Sequence, residues 1–282
     1  MLLKLECLQL TGSFKIRGAF NTLASMTPEE RGHGVVASSA GNHGLGVAYA
    51  AHHFRSPAMI FAPSSIPAVK REGITRLGAR VDSTQPHYDA AMAEAVAYAK
   101  REGMRFLSPC LGDELLAGQG TVAVEILEDE PAVRTVIVPV GGGGLVGGIA
   151  GYLRGVAPNV RVLGAQSLAA DAMMRSLRED RVVEIPYLPT LADGLAGQID
   201  AEGLEIGRAA LDGAAAVTEH DIGRAIAWLA ESEQLVVEGS GAVGVAAVMA
   251  NAFGPLTGPV AVVVSGGNID AELHARLLRE HR

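Results

Sequence analysis

Val133-Arg134-Thr135-Val136-Ile137-Val138-Pro139-Val140-Gly141-Gly142-Gly143-Gly144-Leu145 is the stretch on which the fold turns. A short run of β-branched residues meets four glycines, and an apolar segment that reads as helix over residues 147–155 follows. A run that is apolar at nearly every position belongs to a strand buried on both faces, as in a parallel sheet covered by helices. Each ordered glycine gives up about 0.5–1 kcal/mol relative to alanine. Backbone amides gathered at a helix N-terminus make an anion cradle, which justifies that cost. The loop is no dinucleotide fingerprint, because Gly164 and Gln166 stand where an acidic ribose partner is expected. It lacks Gly-Lys-Ser/Thr, so it is no P-loop either. A single phosphate monoester fits it better than a nucleotide.

Outward from this stretch the same logic repeats. Strands are expected over residues 35–37, 58–61, 80–82, 104–107, 160–165 and Val260–Val264. Helices are expected over residues 16–26, 41–52, 67–77, 90–101, 118–127, 221–233 and 242–252. Short apolar strands alternating with helices predict an α/β fold with two open, mostly parallel sheets flanked by helices. Turn residues gather near residues 27–34 and 108–116. They suggest a large unit of residues 1–30 plus 109–282 and a small unit of residues 31–108.

Composition narrows the function. The 282 residues carry a net charge of −8, against a nucleic-acid or anionic-membrane partner, either of which calls for a basic patch. The uncharged stretches 135–153 and 239–269 are broken by glycine and proline, so they read as buried strand–loop–helix units and not as membrane spans. Two cysteines, Cys7 and Cys110, without metal-ligand spacing fit a reduced, cytoplasmic setting. The histidines show no metal spacing, and no metal site is expected.

Three further constellations complete a chemistry. Thr11-Gly12-Ser13-Phe14-Lys15-Ile16-Arg17-Gly18 places one lysine behind a small turn and before a helical run. A lysine amine attacks a carbonyl only when deprotonated, which desolvation or a neighbouring cation such as Arg17 promotes. Ser38-Ser39-Ala40-Gly41-Asn42-His43-Gly44 lies where a strand ends and a helix begins, a position that forms ligand crevices in open α/β sheets. Ser265-Gly266-Gly267-Asn268 likewise follows a buried strand. A lysine, a phosphate cup, an amide for an oxyanion and a serine at a strand end suit pyridoxal 5′-phosphate (PLP). That cofactor needs a Schiff base, a phosphate anchor and partners for its phenolic oxygen and ring nitrogen.

On these motifs, together with Ala117-Gly118-Gln119-Gly120-Thr121, Ala192-Asp193-Gly194 and Glu238-Gly239-Ser240-Gly241-Ala242, the chain resembles fold-type II PLP enzymes. Within them it is similar to the serine/threonine dehydratase (ammonia-lyase) and serine racemase group, and the resemblance covers nearly the whole chain. It implies a tryptophan synthase β-like fold and a homodimer acting on a small amino acid. Lys15 would carry PLP as a Schiff base and take the Cα proton. Phe14 would pack on the cofactor ring, and Asn42 would bond its phenolic oxygen. Gly141, Gly142, Gly143, Gly144 and Leu145 would hold the phosphate. Ser265 would face the ring nitrogen, and Glu238 matches an acidic position near the cofactor. Ser39, Ala40, Gly41, Asn42 and His43 would receive the substrate carboxylate. The implied reaction is β-elimination from L-threonine, L-serine or a related β-hydroxy amino acid, giving a 2-oxo acid and ammonia. Alternatives are a serine racemase, a β-replacement enzyme, or a PLP-binding protein of impaired catalysis.

The chain departs from the family pattern in three places. Ala40 occupies the slot where racemases of this group carry a serine opposite the lysine, so elimination without efficient racemisation is expected. Some relatives bind a divalent cation through carboxylates after the strand matched by residues 160–165, where this chain has Gln166 and Ala172. Hard cations want charged oxygen ligands, so no cation is expected there. Family members normally carry a few tens of residues before the strand Leu3-Lys4-Leu5-Glu6, and their helix would help build the large unit.

Overall fold

The computed structural model describes residues 1–66 and 68–281. Pro67, with which the helix expected over residues 67–77 begins, lies outside them. Along the first part of the chain come β1 (Leu2–Leu5), α1 (Lys15–Ser25), α2 (Pro28–His33), β2 (Val35–Ser38), α3 (Asn42–Phe54), β3 (Ala58–Pro63) and α4 (Ala68–Arg76). Next are β4 (Arg80–Gln85), α5 (Tyr88–Glu102), β5 (Arg105–Phe106), α6 (Asp113–Asp129), β6 (Thr135–Pro139), α7 (Gly144–Val156), β7 (Arg161–Ser167) and α8 (Ala172–Glu179). The last are α9 (Ala201–Ala210), β8 (Gly213–Val217), α10 (Glu219–Ser232), α11 (Gly239–Met249), β9 (Val260–Val264) and α12 (Ala271–Glu280).

Packing divides the chain into two units, Met1–Phe14 with Gln119–Arg282 and Lys15–Gly118. Residues 15–30 and 109–118 thus belong to the smaller unit, whereas the sequence placed them in the larger. The reason is α1, which packs on α3. Gly46 of α3 lets the two backbones meet: a Cβ there would lie 3.1 Å from the Lys15 carbonyl group.

The larger unit holds a five-stranded sheet in the order β1-β9-β6-β7-β8, and its strand pairs are all parallel. Its strands are apolar at successive positions because both faces are covered. Val136 and Val138 pack into one core with Val162 and Val263, while Ile137 enters another with Leu163, Val262 and Val264. That period-2 division is what a doubly covered parallel sheet requires.

The smaller unit holds a parallel four-stranded sheet in the order β4-β3-β2-β5. Its neighbours again divide by parity. Val35, Ala37 and Ile60 join α1 and α3 residues, and Val36 and Phe61 join the alanines of α5.

Local signals account for several boundaries. Thr218 and Asp221 form a reciprocal capping box, with N–H···O distances of 3.1 Å each way, so α10 starts at Glu219 and not at residue 221. Gly103, at φ 64°, ends α5. β8, Gly-Ala-Ala-Ala-Val, was not expected: alanine favours helix, and only its pairing with β7 makes this segment a strand.

In both sheets chain order reverses beside one strand. From β6 the chain steps outward through β7 to β8, and β9 then lies on the other side of β6. From β2 it steps through β3 to β4, and β5 then lies on the other side of β2. In open α/β sheets such switch points leave a crevice at the carboxyl ends of the strands.

Candidate active site

Each switch point carries motif residues, and each unit supplies its own group. In the larger unit the glycine loop follows β6. Val140 is fixed on both sides: its N–H donates to Ala165 O at 3.0 Å, and its carbonyl accepts from Gln166 Nε2 at 3.0 Å. Four residues later α7 begins, three residues before its expected start. Gly143 is the N-cap at φ 97°, in the left-handed region where an L side chain is strained; a Cβ there would also lie 3.2 Å from Ile206 Cγ2. The first bond closing the helix runs from Gly147 N to Gly143 O at 2.8 Å. The amides of residues 141–146 have no protein acceptor among the described residues, and the first turn of α7 holds no carboxylate. Such amides and the helix dipole suit a dianion.

Ser265 directly follows β9 and is 3 % exposed. Its hydroxyl lies 3.4 Å from Ser240 O, a long contact that leaves it a neutral hydroxyl with capacity to spare. The Thr11–Phe14 turn runs beside it. Phe14 N donates to Ser265 O at 3.1 Å, Gly267 N donates to Gly12 O at 2.9 Å, and Ser13 pairs with Gly266 in an antiparallel bridge. Glu238, buried, donates its own N–H to Gly266 O at 3.1 Å. Glu238 and Glu6 add to burial in holding Cys7 protonated, at a pKa of about 11. Phe14, Ser265, Glu238 and the glycine loop therefore share the carboxyl end of one sheet.

In the smaller unit Lys15 opens α1, half-buried, and its Nζ donates to Pro109 O at 2.5 Å. Pro109 lies in the segment that leaves β5. From the neighbouring strand β2, Ser38 and Ser39 lead into α3, whose first residues are Asn42 and His43. Gly41 N donates to the Ser39 hydroxyl at 3.1 Å. The ring of His43, 3 % exposed, bonds Leu107 O at 3.0 Å through Nε2. A carbonyl only accepts, so Nε2 carries the proton and Nδ1 is left as a buried acceptor without a partner. Burial and the Lys15 charge push this histidine down to about 3. It is a neutral imidazole at physiological pH, and its side chain is committed to the Leu107–Pro109 segment.

Sequence reasoning missed that segment. Leu107, Ser108 and Pro109 carry no chemical signature, and their signal is positional: they follow β5 at a switch point. It also missed Gln166 as the residue that holds Val140. Among the described residues no group of three or more His, Cys, Asp or Glu side chains could hold a metal ion. No helix is long and apolar enough to cross a membrane among those residues.

The residues fit PLP by their own chemistry. The loop offers amides and no carboxylate to a phosphate, and Lys15 offers an amine in a partly desolvated place.

Comparison with known proteins agrees with this composition. Residues 1–266 match the family described as pyridoxal-phosphate dependent enzyme. The chain is 43 % identical over 279 residues to the L-threonine ammonia-lyase of Thermotoga maritima, covering 99 % of this chain and 69 % of that protein. The processed form of threonine deaminase isoform 2 from Solanum lycopersicum superposes with a TM-score of 0.92 at 30 % identity, over 98 % of this chain and 82 % of that one. Maize serine racemase superposes with a TM-score of 0.91 at 31 % identity, over 98 % and 85 %. With two parallel sheets, a glycine cup after a central strand and a lysine at a helix start, the chain belongs to the pyridoxal-phosphate-dependent enzymes of fold type II.

Proposed function

We propose that this protein is an ammonia-lyase that converts L-threonine, or L-serine, to the 2-oxo acid and ammonia by β-elimination. The observation that carries the proposal is the 43 % identity to an L-threonine ammonia-lyase along 99 % of the chain. For threonine the atoms balance: the amino acid gives 2-oxobutanoate and ammonia, the water lost from Cβ being regained on hydrolysis. The chemistry that PLP supplies when bound is an electron sink for the Cα–H bond pair.

The chain's residues divide the remaining work. Lys15 would be the covalent anchor of the cofactor, and its amine, when free, would be the base that takes the Cα proton. Gly141 to Gly144 and Leu145 would hold the phosphate with backbone amides. Asn42 would donate to the phenolic oxygen, and Phe14 would pack on the ring. Ser265 would offer the ring nitrogen a neutral hydroxyl. A carboxylate there would hold a proton on that nitrogen, whereas a neutral serine would not, and electron withdrawal into the ring would be weaker. Glu238 supplies negative charge near Ser265. The turn of Ser39, Ala40, Gly41, Asn42 and His43 receives the substrate carboxylate. Ser39 accepts from Gly41 N and retains its own O–H to donate, whereas His43 contributes backbone only, because its ring is committed.

Ala40 has no exchangeable proton, so the face opposite Lys15 lacks a serine base and racemisation is slow. A cytoplasmic homodimer completes the proposal; the family resemblance supports the dimer, and two cysteines outside any disulfide support the reducing compartment.

The test is purified protein with PLP, offered L-threonine, L-serine and other β-hydroxy amino acids, with oxo-acid release and chiral analysis of the remaining substrate. Borohydride reduction and peptide mapping are expected to place the cofactor on Lys15. No oxo acid from any substrate, or rapid formation of D-serine, would overturn the assignment.

A further inference from the structure

Val140 is the last residue of β6's extension before the glycine loop, and one buried side chain secures it. Gln166, on β7, is 1 % exposed. Its Nε2 donates to Val140 O at 3.0 Å and to Ala170 O at 3.2 Å, and its Oε1 accepts from Met174 N, in the first turn of α8, at 2.8 Å. Both amide hydrogens and the carbonyl are used. The orientation of the amide is forced, because turning it over would set an oxygen against two carbonyls and an NH2 against an N–H. One side chain therefore ties together the root of the glycine loop, the β7–α8 turn and the start of α8. A buried amide with all its partners in place fixes geometry, because each partner stranded without it costs roughly 1–3 kcal/mol.

We propose that Gln166 is the positioning residue of the phosphate-binding loop, and that its NH2 group joins two carbonyl oxygens which an acidic residue in its place could share only with a cation or a proton. This rests on the glycine loop being the phosphate cup. Gln166 touches neither substrate nor cofactor; it acts through Val140, one bond before Gly141. A carboxylate at this position would face Val140 O and Ala170 O with no hydrogen to give. Three oxygens then converge, and a hard divalent cation satisfies them.

Cofactor-stripped protein tests the idea through binding. The affinities for PLP, by absorbance titration, and for inorganic phosphate, by competition, are measured in wild type, Gln166→Met and Gln166→Glu. Each is measured with chelator and again with millimolar Mg2+ or Ca2+. Gln166→Met keeps the length and loses every hydrogen bond, so both affinities are expected to fall about tenfold or more, roughly 1.4 kcal/mol, whatever the cation. Gln166→Glu is expected to fall similarly in chelator and to recover most of the loss with the cation. Wild type is expected to bind equally under both conditions.

A merely structural role would lower the melting temperature of both variants without cation rescue of one. Should either variant fail to fold, wild type decides: cofactor affinity that drops in chelator overturns the proposal. Variants that bind like wild type, or a Gln166→Glu protein indifferent to cation, also overturn it. Wild type that binds PLP but not phosphate overturns the cup and the proposal together, whereas changes confined to the variants bear on Gln166 alone.

Discussion

Replacing His43 by glutamine is expected to remove about 2 kcal/mol of the pH dependence of stability between pH 7.5 and 5.0. The side chain is buried, its Nε2–H is spent on Leu107 O, and its pKa is pushed from 6.5 to about 3 by burial and by Lys15. The unfolded chain takes up a proton on this histidine below 6.5, and the folded protein takes up none until about 3. The native state's advantage is therefore complete above 6.5 and is lost progressively as pH falls towards 3. At pH 5.0 the unfolded state holds about one extra proton, and 1.5 pH units below 6.5 at about 1.4 kcal/mol per unit give about 2 kcal/mol.

Glutamine cannot titrate, and its NH2 can still donate to Leu107 O. Carboxylates common to both proteins cancel in the difference. Urea unfolding of the cofactor-stripped proteins at several pH values measures it, with stripping used to keep linked cofactor binding out of the comparison. Wild type minus variant is expected to shrink by about 2 kcal/mol from pH 7.5 to 5.0. A difference constant to within about 0.5 kcal/mol would refute a neutral His43. So would a long-range proton–nitrogen spectrum with His43 as imidazolium, or protonated on Nδ1, at pH 5.0.

Two other substitutions or reagents probe separate links. Gly143→Ala forces an L residue to φ 97° with its Cβ 3.2 Å from Ile206 Cγ2. A loss of about 1–3 kcal/mol is expected, with a melting temperature lower by roughly 2–4 °C per kcal/mol and weaker PLP binding; an unchanged melting temperature would mean that the loop does not hold this conformation. In native protein at pH 8 a thiol reagent is expected to modify half-buried Cys110 and to spare Cys7, whose thiol burial pushes up to about 11, until urea is added. Equal reaction rates for the two cysteines would contradict that environment.

The parts of this fold that could be read from sequence are those in which a residue type is required locally. Val136 to Val138 read as a doubly covered strand because each residue does enter a core. The glycine loop and Lys15 stood out because few other residues could serve the same chemistry. Boundaries failed where local preference and tertiary need diverge. Gly144 looks like a helix breaker, yet α7 begins there. The sequence pattern predicts this helix only from residue 118, yet α6 begins at Asp113. Contacts that cross the chain could not be read at all. Lys15 to Pro109, His43 to Leu107 and Gln166 to Val140 join residues 94, 64 and 26 apart, and no periodicity encodes them. Only sheet order, with β5 beside β2 and β6 beside β7, brings those pairs together.

Unpartnered buried polar atoms provide a test of the motifs that does not depend on sequence. A buried donor or acceptor left without a partner costs roughly 1–3 kcal/mol, so a fold keeps few of them. Among the described residues seven side chains carry such atoms. Two, His274 and His281, lie on or beside α12. The other five are Thr11 and Ser13 before Lys15, Ser38 and His43 around Asn42, and Gln119 in the Ala-Gly-Gln-Gly-Thr motif. His43 Nδ1 is explained by the ring's commitment to Leu107 O; packing alone gives no reason for the other four side chains to lie in the stretches marked by sequence chemistry, whereas polar ligand atoms meeting each stretch would. Removing such an oxygen without changing shape separates the two accounts. If Ser13→Ala or Ser38→Ala raises the melting temperature and leaves substrate and cofactor affinity intact, those hydroxyls are packing defects. If stability rises while affinity or turnover falls, the fold has kept a cost that the chemistry requires.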